Sequence, residues 1–250
     1  MLSAEPFDAR LVASRTLSPG VRELVFERSD GKVFHFEPGQ WVNLVLPLAP
    51  EEVKRAYSIA SAPTDSTRFE LAVTRVTGGA GSEFLHQLPE GSTLRAIGPH
   101  GLFTRAPLDA APALFVATGT GVTPLRSMLQ ASRRAGSRVP IWLLFGARFE
   151  EDILYREELE SWARAEPGFR FEVTLSQPRD AEAAGQRWAG RRGYVQQHVP
   201  ELYRELAAAV APALPHVYIC GLERMVKSVK ELVRGELGVE RKHVHTERYD

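Results

Sequence analysis

A short apolar run, Ala113-Leu114-Phe115-Val116-Ala117, leads directly into Thr118-Gly119-Thr120-Gly121-Val122-Thr123-Pro124 and then into Leu125-Arg126-Ser127-Met128-Leu129. The first of these segments reads as a buried strand, the second as a glycine turn, and the third as a helix. A buried strand that turns through glycines into a helix belongs to a layer of parallel strands covered by helices, and this restricts the fold more than any other feature of the chain. Glycines let the backbone approach a bulky anion closely, and the free N–H groups at a helix start point at it. Pro124 suits the first helical turn, where its missing N–H costs nothing. The spacing is neither GxGxxG nor GxxxxGK[ST], so by itself it indicates a diphosphate-sized anion without naming a nucleotide. A tight turn that binds nothing is the alternative.

The same alternation continues to the end of the chain. Strands are expected at 113–117, 141–145, 169–175 and 217–220, with helices near 124–135, 154–165, 195–199 continuing to 210, and 224–237. That is a doubly wound parallel sheet, whose ligands lie beyond the carboxyl ends of the strands. Gly119, Gly146, Ser176 and Cys220 each stand at or just past such an end. Residues 1–107 read differently. Short β-rich runs at 21–26, 42–46, 57–60, 69–76 and 93–97 alternate with turn clusters such as Ser18-Pro19-Gly20, Glu37-Pro38-Gly39 and Pro89-Glu90-Gly91. Regular short strands with that punctuation indicate a closed or nearly closed antiparallel barrel. One helix is expected to interrupt it at 82–88, with Ser82 as N-cap, so that the Gly81–Ser82 turn offers helix-start N–H groups to a second diphosphate. The expected domains are therefore 1–107, an antiparallel β-barrel, and 108–250, a Rossmann-like α/β unit.

Composition narrows the function. The 31 basic and 31 acidic side chains cancel, which removes any bulk electrostatic case for nucleic acid or a membrane surface. No apolar run approaches the ~20 residues of a membrane span, and Met1-Leu2-Ser3-Ala4-Glu5-Pro6 has neither the basic nor the apolar part of a secretory signal. The single cysteine can neither close an internal disulfide nor ligate an iron–sulfur cluster, which needs about four. The expectation is a cytoplasmic enzyme without a metal site, any iron–sulfur partner being a separate protein.

Upstream of the glycine turn stands Arg55-Ala56-Tyr57-Ser58-Ile59-Ala60-Ser61. In a strand, Arg55 and Tyr57 share one face and Ser58 takes the other. A guanidinium suits bidentate phosphate recognition, a phenol ring stacks on a planar heterocycle, and a hydroxyl both donates and accepts. Each residue alone also suits ordinary strand surface. Their combination with a phosphate loop in one chain favours a second nucleotide-like ligand.

These segments resemble, in order, those of the ferredoxin–NADP(H) reductases and the wider group of flavin reductases built on the same two-domain unit. Pro38-Gly39-Gln40-Trp41-Val42 is similar to the PGQ strand, Arg55–Ser58 to the RxYS flavin signature, and Gly78-Gly79-Ala80-Gly81-Ser82 to the loop over the flavin diphosphate. Gly98-Pro99-His100-Gly101-Leu102-Phe103 resembles the GPxGxF segment, GTGVTP the nicotinamide-nucleotide loop, Ile219-Cys220-Gly221 the CG motif, and Glu247-Arg248-Tyr249 the ExY ending. The resemblance implies FAD and NADP(H) as cofactors. It implies that Tyr57 stacks on the flavin, Ser58 hydrogen-bonds near its N5, and Arg55 with the backbone of Ala80, Gly81 and Ser82 holds the diphosphate. Ala56, Val73 and Thr74 flank that ligand, although barrel core is an equally good reading of Val73. Gly119, Thr120, Gly121, Thr123, Pro124 and Gly221 would hold the nicotinamide nucleotide. Cys220 would touch the nicotinamide by packing rather than thiolate chemistry. Glu247 would relay protons or hold the nicotinamide, and Tyr249 would cover the flavin face opposite Tyr57. The two flat cofactors would meet at the seam between the domains.

The choice of nucleotide rests on fewer residues. A 2′-phosphate calls for arginine or lysine and a free ribose hydroxyl for an acidic acceptor. By the same resemblance Arg148, Ser176, Arg192 and Tyr194 serve the phosphorylated adenosine, with Arg179, Arg187 and Arg191 as further cations. Gln177 departs from the family by replacing an arginine, Asp180 is a ribose acceptor for NAD, and Asp250 has no counterpart in the plastid relatives. The balance favours NADP(H). The implied partner is ferredoxin or flavodoxin, acidic proteins met by a basic rim drawn from Lys54, Arg55, Arg75, Arg126, Arg156, Lys227, Lys230, Arg241 and Lys242, with the reductase itself a monomer. The alternatives are a reductase component for an oxygenase or heme protein, an electron-relay subunit, and a flavin-free nucleotide-binding module.

Overall fold

The computed structural model describes residues 5–178 and 188–249. The chain forms two compact units, Met1–Leu108 with Thr123–Gly136, and Asp109–Val122 with Ser137–Asp250. The helix beyond the glycine turn therefore counts with the first unit.

The first unit contains β1 (Pro6–Ser18), β2 (Val21–Arg28), β3 (Trp41–Leu46), β4 (Val53–Ser58), β5 (Arg68–Thr74), α1 (Ala80–Gln87) and β6 (Thr93–His100), together with most of α2 (Val122–Arg134). The strands form one antiparallel sheet in the order β4-β3-β6-β1-β2-β5. Its two edges meet. Past the end of β4, Ile59 pairs antiparallel with Leu71, and the Ala60 N–H donates to the Glu70 carbonyl at 2.8 Å. The sheet closes as the turn spacing indicates. β1 was not among the strands singled out from sequence, although Phe7, Ala9 and Leu11 alternate with exposed Asp8 and Arg10 along it. Inside the barrel Phe7, Phe34 and Phe69 form an aromatic cluster with ring centroids 4.9–6.1 Å apart, pairs each worth ~1 kcal/mol beyond their buried area.

Helix α1 begins at Ala80, two residues before the expected start, because Gly78 takes φ +75 and turns the chain early. Ser82 is consequently not the N-cap. Gly79 occupies that position without a side-chain cap, and the Ser82 hydroxyl folds back to donate to the Gly79 carbonyl at 2.9 Å while accepting the Val76 N–H at 3.0 Å. At the other end Arg22 donates to the carbonyls of Leu85, His86 and Leu88 at 3.0, 2.9 and 3.0 Å. A cation on the last carbonyls both satisfies them and complements the helix dipole.

The second unit holds β7 (Ala113–Thr118), β8 (Ile141–Ala147), α3 (Arg156–Ala165), β9 (Phe169–Leu175), β10 (Arg191–Arg192), α4 (Val199–Val210), β11 (His216–Leu222), α5 (Glu223–Gly235) and β12 (Val244–Tyr249). All pairs are parallel, in the order β10-β9-β8-β7-β11-β12. The winding reverses between β7 and β11, which is where such sheets hold ligands. Helix α5 shows why these residues form it: Met225, Val226, Val229 and Val233 make one buried stripe, packed with α4 residues against Leu114, Val116, Val217 and Ile219.

Candidate functional site

The RAYS segment lies on β4 as the alternation requires. Trp41 on β3 stands opposite both Ser58 and His100, Val42 opposite Tyr57, and Leu44 opposite Arg55. Arg55 and Ala56 are exposed, Tyr57 is half-buried against the barrel core, and Ser58 is buried. Burial pushes the Tyr57 phenol up to about 12, with the Arg55 guanidinium pulling the other way. The stem of Arg55 passes Gly81 so closely that a Cβ there would stand 3.4 Å from Arg55 Cγ and 3.2 Å from Leu46 Cδ1. Gly81 is thus a notch for the arginine. It brings a cation beside the start of α1, whose first turn has no side-chain cap. Glu83 already accepts the Gly78 N–H at 3.2 Å, so the available donors are those of Ala80, Gly81 and Ser82. A diphosphate fits this set of groups. Thr74 is exposed at the end of β5. Val73 is not available through its side chain, which is fully buried in the barrel core; its carbonyl meets the His86 ring at 2.8 Å.

Two other family-like segments prove architectural. Gly39 has φ +101, and a Cβ on it would lie 2.1 Å from the Phe103 carbonyl oxygen. Gln40 Nε2 donates to the Gly101 carbonyl at 3.3 Å. The PGQ and GPHGLF segments hold each other.

In the second unit the glycine turn and the Cys220-Gly221 segment interlock at the carboxyl ends of β7 and β11. A Cβ on Gly121 would meet the Cys220 carbonyl oxygen at 2.3 Å, and one on Gly221, whose φ is +148, would meet Thr118 Oγ1 at 2.3 Å. Gly119, by contrast, has φ +52 and nothing within 4 Å of its missing Cβ. Two glycines permit close backbone approach and one leaves open space over the strand end. Thr118 Oγ1 is buried without a hydrogen-bond partner among the described residues. Thr120 is half-buried in the turn, and Thr123 and Pro124 are buried in the first turn of α2. An orphaned hydroxyl, a glycine cradle and a helix start together fit an anionic nucleotide.

Further along the sheet, main-chain bonds collect the remaining expected residues. The Ser176 N–H donates to the Ala147 carbonyl at 3.0 Å and the Gln177 N–H to the Arg148 carbonyl at 2.9 Å. Thr174 Oγ1 donates to the Gly193 carbonyl at 2.8 Å, which brings Arg192 and Tyr194 to the end of β9. Arg148 and Arg192 are exposed, and the Tyr194 ring is 63% exposed, more than is usual for an aromatic side chain. Arg191 is not an available cation. It pairs with Glu172 at 3.1 Å and grips Glu201 at 2.7 and 3.0 Å, contacts that raise its pKa further. Arg179, Asp180, Arg187 and Asp250 lie outside the described residues.

β12 pairs in register with β11, setting Glu247 beside Cys220 and Tyr249 beside Leu222. Cys220 is fully buried, and burial raises its thiol pKa well above the ordinary value; the Glu247 carboxylate adds to this and a hydrogen bond with Tyr249 opposes it. The thiol stays protonated, in keeping with a packing role.

Sequence reading missed the roles of two arginines. Arg22 caps α1, and Arg126 is 4% exposed rather than part of a basic rim. Arg126 stands among Leu125, Met128 and Leu129, all buried in the structure, and nothing in its residue type marks that burial. Arg156 is likewise engaged, with Glu150 at 2.6 Å and Glu160 at 2.8 Å. Among the described residues no cluster of His, Cys, Asp and Glu is arranged to hold a metal ion, and no helix is long and apolar enough to cross a membrane.

Residues 8–104 match the family described as oxidoreductase FAD-binding domain, and residues 115–231 the one described as oxidoreductase NAD-binding domain. A protein of Sorangium cellulosum (strain So ce56) named ferredoxin–NADP reductase B is 70% identical over 250 residues, covering 100% of both chains. The chain belongs to the ferredoxin–NADP reductase family. This reductase is an FAD-dependent oxidoreductase with a nicotinamide-nucleotide-binding domain. It is also similar to the glycine betaine monooxygenase reductase subunit of Pseudomonas aeruginosa (strain UCBPP-PA14), 32% identical over 232 residues, covering 92% of the reductase and 60% of that subunit. The fold is shared with a Plasmodium falciparum ferredoxin–NADP+ reductase solved with 2′P-AMP, with TM-score 0.79, 22% identity and coverage of 99% and 98% of the two chains.

Proposed function

We propose that the reductase passes electrons between NADP(H) and a separate one-electron carrier, ferredoxin or flavodoxin, acting as a cytoplasmic monomer. The observation that carries this reading is the interlock of Gly121 with Cys220 and of Gly221 with Thr118, which builds a nucleotide cradle where the parallel sheet reverses. FAD held by Arg55 and the start of α1 would supply two-electron chemistry toward NADPH and one-electron chemistry toward the carrier. Residues 1–107 serve FAD and residues 108–250 serve NADP(H). Arg55 and the start of α1 bind the flavin diphosphate, Tyr57 orients the ring system, and Ser58 holds its hydroxyl at the flavin edge. The turn at Gly119–Gly121 with Thr123 and Pro124 binds the nicotinamide-nucleotide diphosphate. Arg148, Ser176 and Arg192 bind the 2′-phosphate, and Tyr194 stacks on adenine. Cys220 and Gly221 shape the nicotinamide pocket, Glu247 beside them on β12 relays protons or holds the nicotinamide, and Tyr249 gives way as the nicotinamide enters. NADPH-driven cytochrome c reduction that depends on added ferredoxin tests the reading; turnover indifferent to ferredoxin and flavodoxin contradicts the carrier assignment.

A second reading is supported by the likeness to the monooxygenase reductase subunit. There the chain serves an oxygenase through an intermediary iron–sulfur protein. Reduction of an oxygenase's own iron–sulfur protein and none of an unrelated ferredoxin would favour it.

A further inference from the structure

Inside the first unit, one face of α2 grips the segment immediately beyond the RAYS strand. Arg126 Nη1 donates to the Ala60 carbonyl at 2.9 Å and to Glu70 Oε2 at 2.6 Å. Ser127 Oγ donates to the Ser61 carbonyl at 2.7 Å, and Gln130 Oε1 accepts the Ala62 N–H at 2.9 Å. β5 holds the same residues by further bonds: the Ala60 N–H donates to the Glu70 carbonyl at 2.8 Å, and Ser61 Oγ accepts the Glu70 N–H at 3.1 Å. Ala60, Ser61 and Ala62 are thus clamped between strand and helix, with a guanidinium at the centre whose side chain is 5% exposed.

With the guanidinium buried and the Glu70 side chain 30% exposed, this ion pair is a poor device for stability, because the cost of desolvating the guanidinium offsets much of the attraction. It is a good device for geometry, since only one arrangement leaves the guanidinium and carboxylate satisfied. The clamp sits where geometry matters. Ala60 lies two residues beyond Ser58 along the same backbone, and Arg126 stands less than one helical turn beyond Thr123 and Pro124.

We propose that Arg126 is a positioning residue for the reaction: anchored by Glu70, it holds the Ala60 carbonyl and so sets Ser58 in fixed register with the first turn of α2. The proposal rests on β4 being the flavin strand. It assigns to Arg126 a role distinct from the partner-facing one suggested by its charge. Neither Arg126 nor Glu70 touches the reacting atoms. Their effect travels through the Ala60 main chain.

Four variants test it: Arg126→Met, Arg126→Lys, Glu70→Gln and the double variant Glu70→Gln/Arg126→Met. The readouts are the visible flavin spectrum, kcat and KM for NADPH with ferricyanide as acceptor, and the melting temperature. Arg126→Met is expected to retain FAD while kcat falls by about tenfold to a hundredfold, the size of loss that small misplacements produce. KM should change far less. Arg126→Lys, which keeps the charge and one bond, should recover part of the rate, and the double variant should be no slower than Arg126→Met, as for two groups of one unit. A variant that melts earlier but turns over at the wild-type rate overturns the proposal. If Arg126→Met does not fold, the decision passes to Arg126→Lys and Glu70→Gln. An unchanged kcat and flavin spectrum in both overturns it equally. Wild type lacking flavin or ignoring NADPH would instead overturn the functional reading, before any variant is compared.

Discussion

At the scale of single residues, the glycines divide into those that permit contact inside the chain and those that leave room for a ligand. Gly121 and Gly221 belong to the first kind, each with backbone or hydroxyl 2.3 Å from its absent Cβ, and Gly119 to the second. Gly121→Ala should therefore lower the melting temperature and abolish saturable NADPH kinetics, because the Cys220 main chain cannot yield. Gly119→Ala should cost only about 1–2 kcal/mol of stability, the strain of its positive φ, yet raise KM for NADPH by more than about tenfold. Equal effects of the two on folding would contradict the division. The Tyr57 phenol supplies a pH signature. Its folded pKa is raised from 10.0 to about 12, so the folded state keeps a proton that the unfolded chain gives up. That contribution to stability is complete below pH 10 and is lost as pH rises through 12. Melting temperatures of wild type and Tyr57→Phe should converge or cross over that window; a constant difference would mean the phenol is not buried as described.

Among the elements, α1 shows how a strand residue aims a ligand site. Three carbonyls at its C-terminus are held by Arg22, and its uncapped N-terminus lies beside Arg55. Replacing Arg22 with Met leaves those carbonyls without their charged donor, a loss of about 1–3 kcal/mol. The expected result is a lower melting temperature together with faster FAD release, monitored by flavin fluorescence. Release unchanged at a lower melting temperature would separate the cap from the site. This contact shows where sequence reading stops. Strand, turn and helix were legible because period and glycine placement are local, so β7 and the turn between β7 and α2 appear where expected, whereas β4 spans Val53–Ser58 against the expected 57–60. Arg22 and Arg126 were not legible in role, because an arginine on a strand or helix has the same local signature whether it faces water or a carbonyl distant in sequence. Ser82 misled for a related reason: the φ of Gly78, which starts α1 early, leaves no mark in residue type beyond glycine itself.

For the molecule as a whole, the order of motifs is the order of architecture: a barrel closed by Ile59 on Leu71, then a parallel sheet that reverses between β7 and β11. The residues proposed to bind the cofactors stand at strand ends and turns, while PGQ and GPHGLF, equally visible in sequence, bind one another instead. Motif recognition alone does not separate these two uses; the space around each glycine does. The central claim is that this chain carries FAD and lets NADPH reduce it in preference to NADH. The most direct measurement is anaerobic rapid mixing of the yellow holoenzyme with each nucleotide, monitoring loss of the flavin absorbance. NADPH should bleach the flavin, and faster than NADH at equal concentration. A preparation that cannot be loaded with FAD, or a bound flavin that neither nucleotide reduces, would contradict the claim.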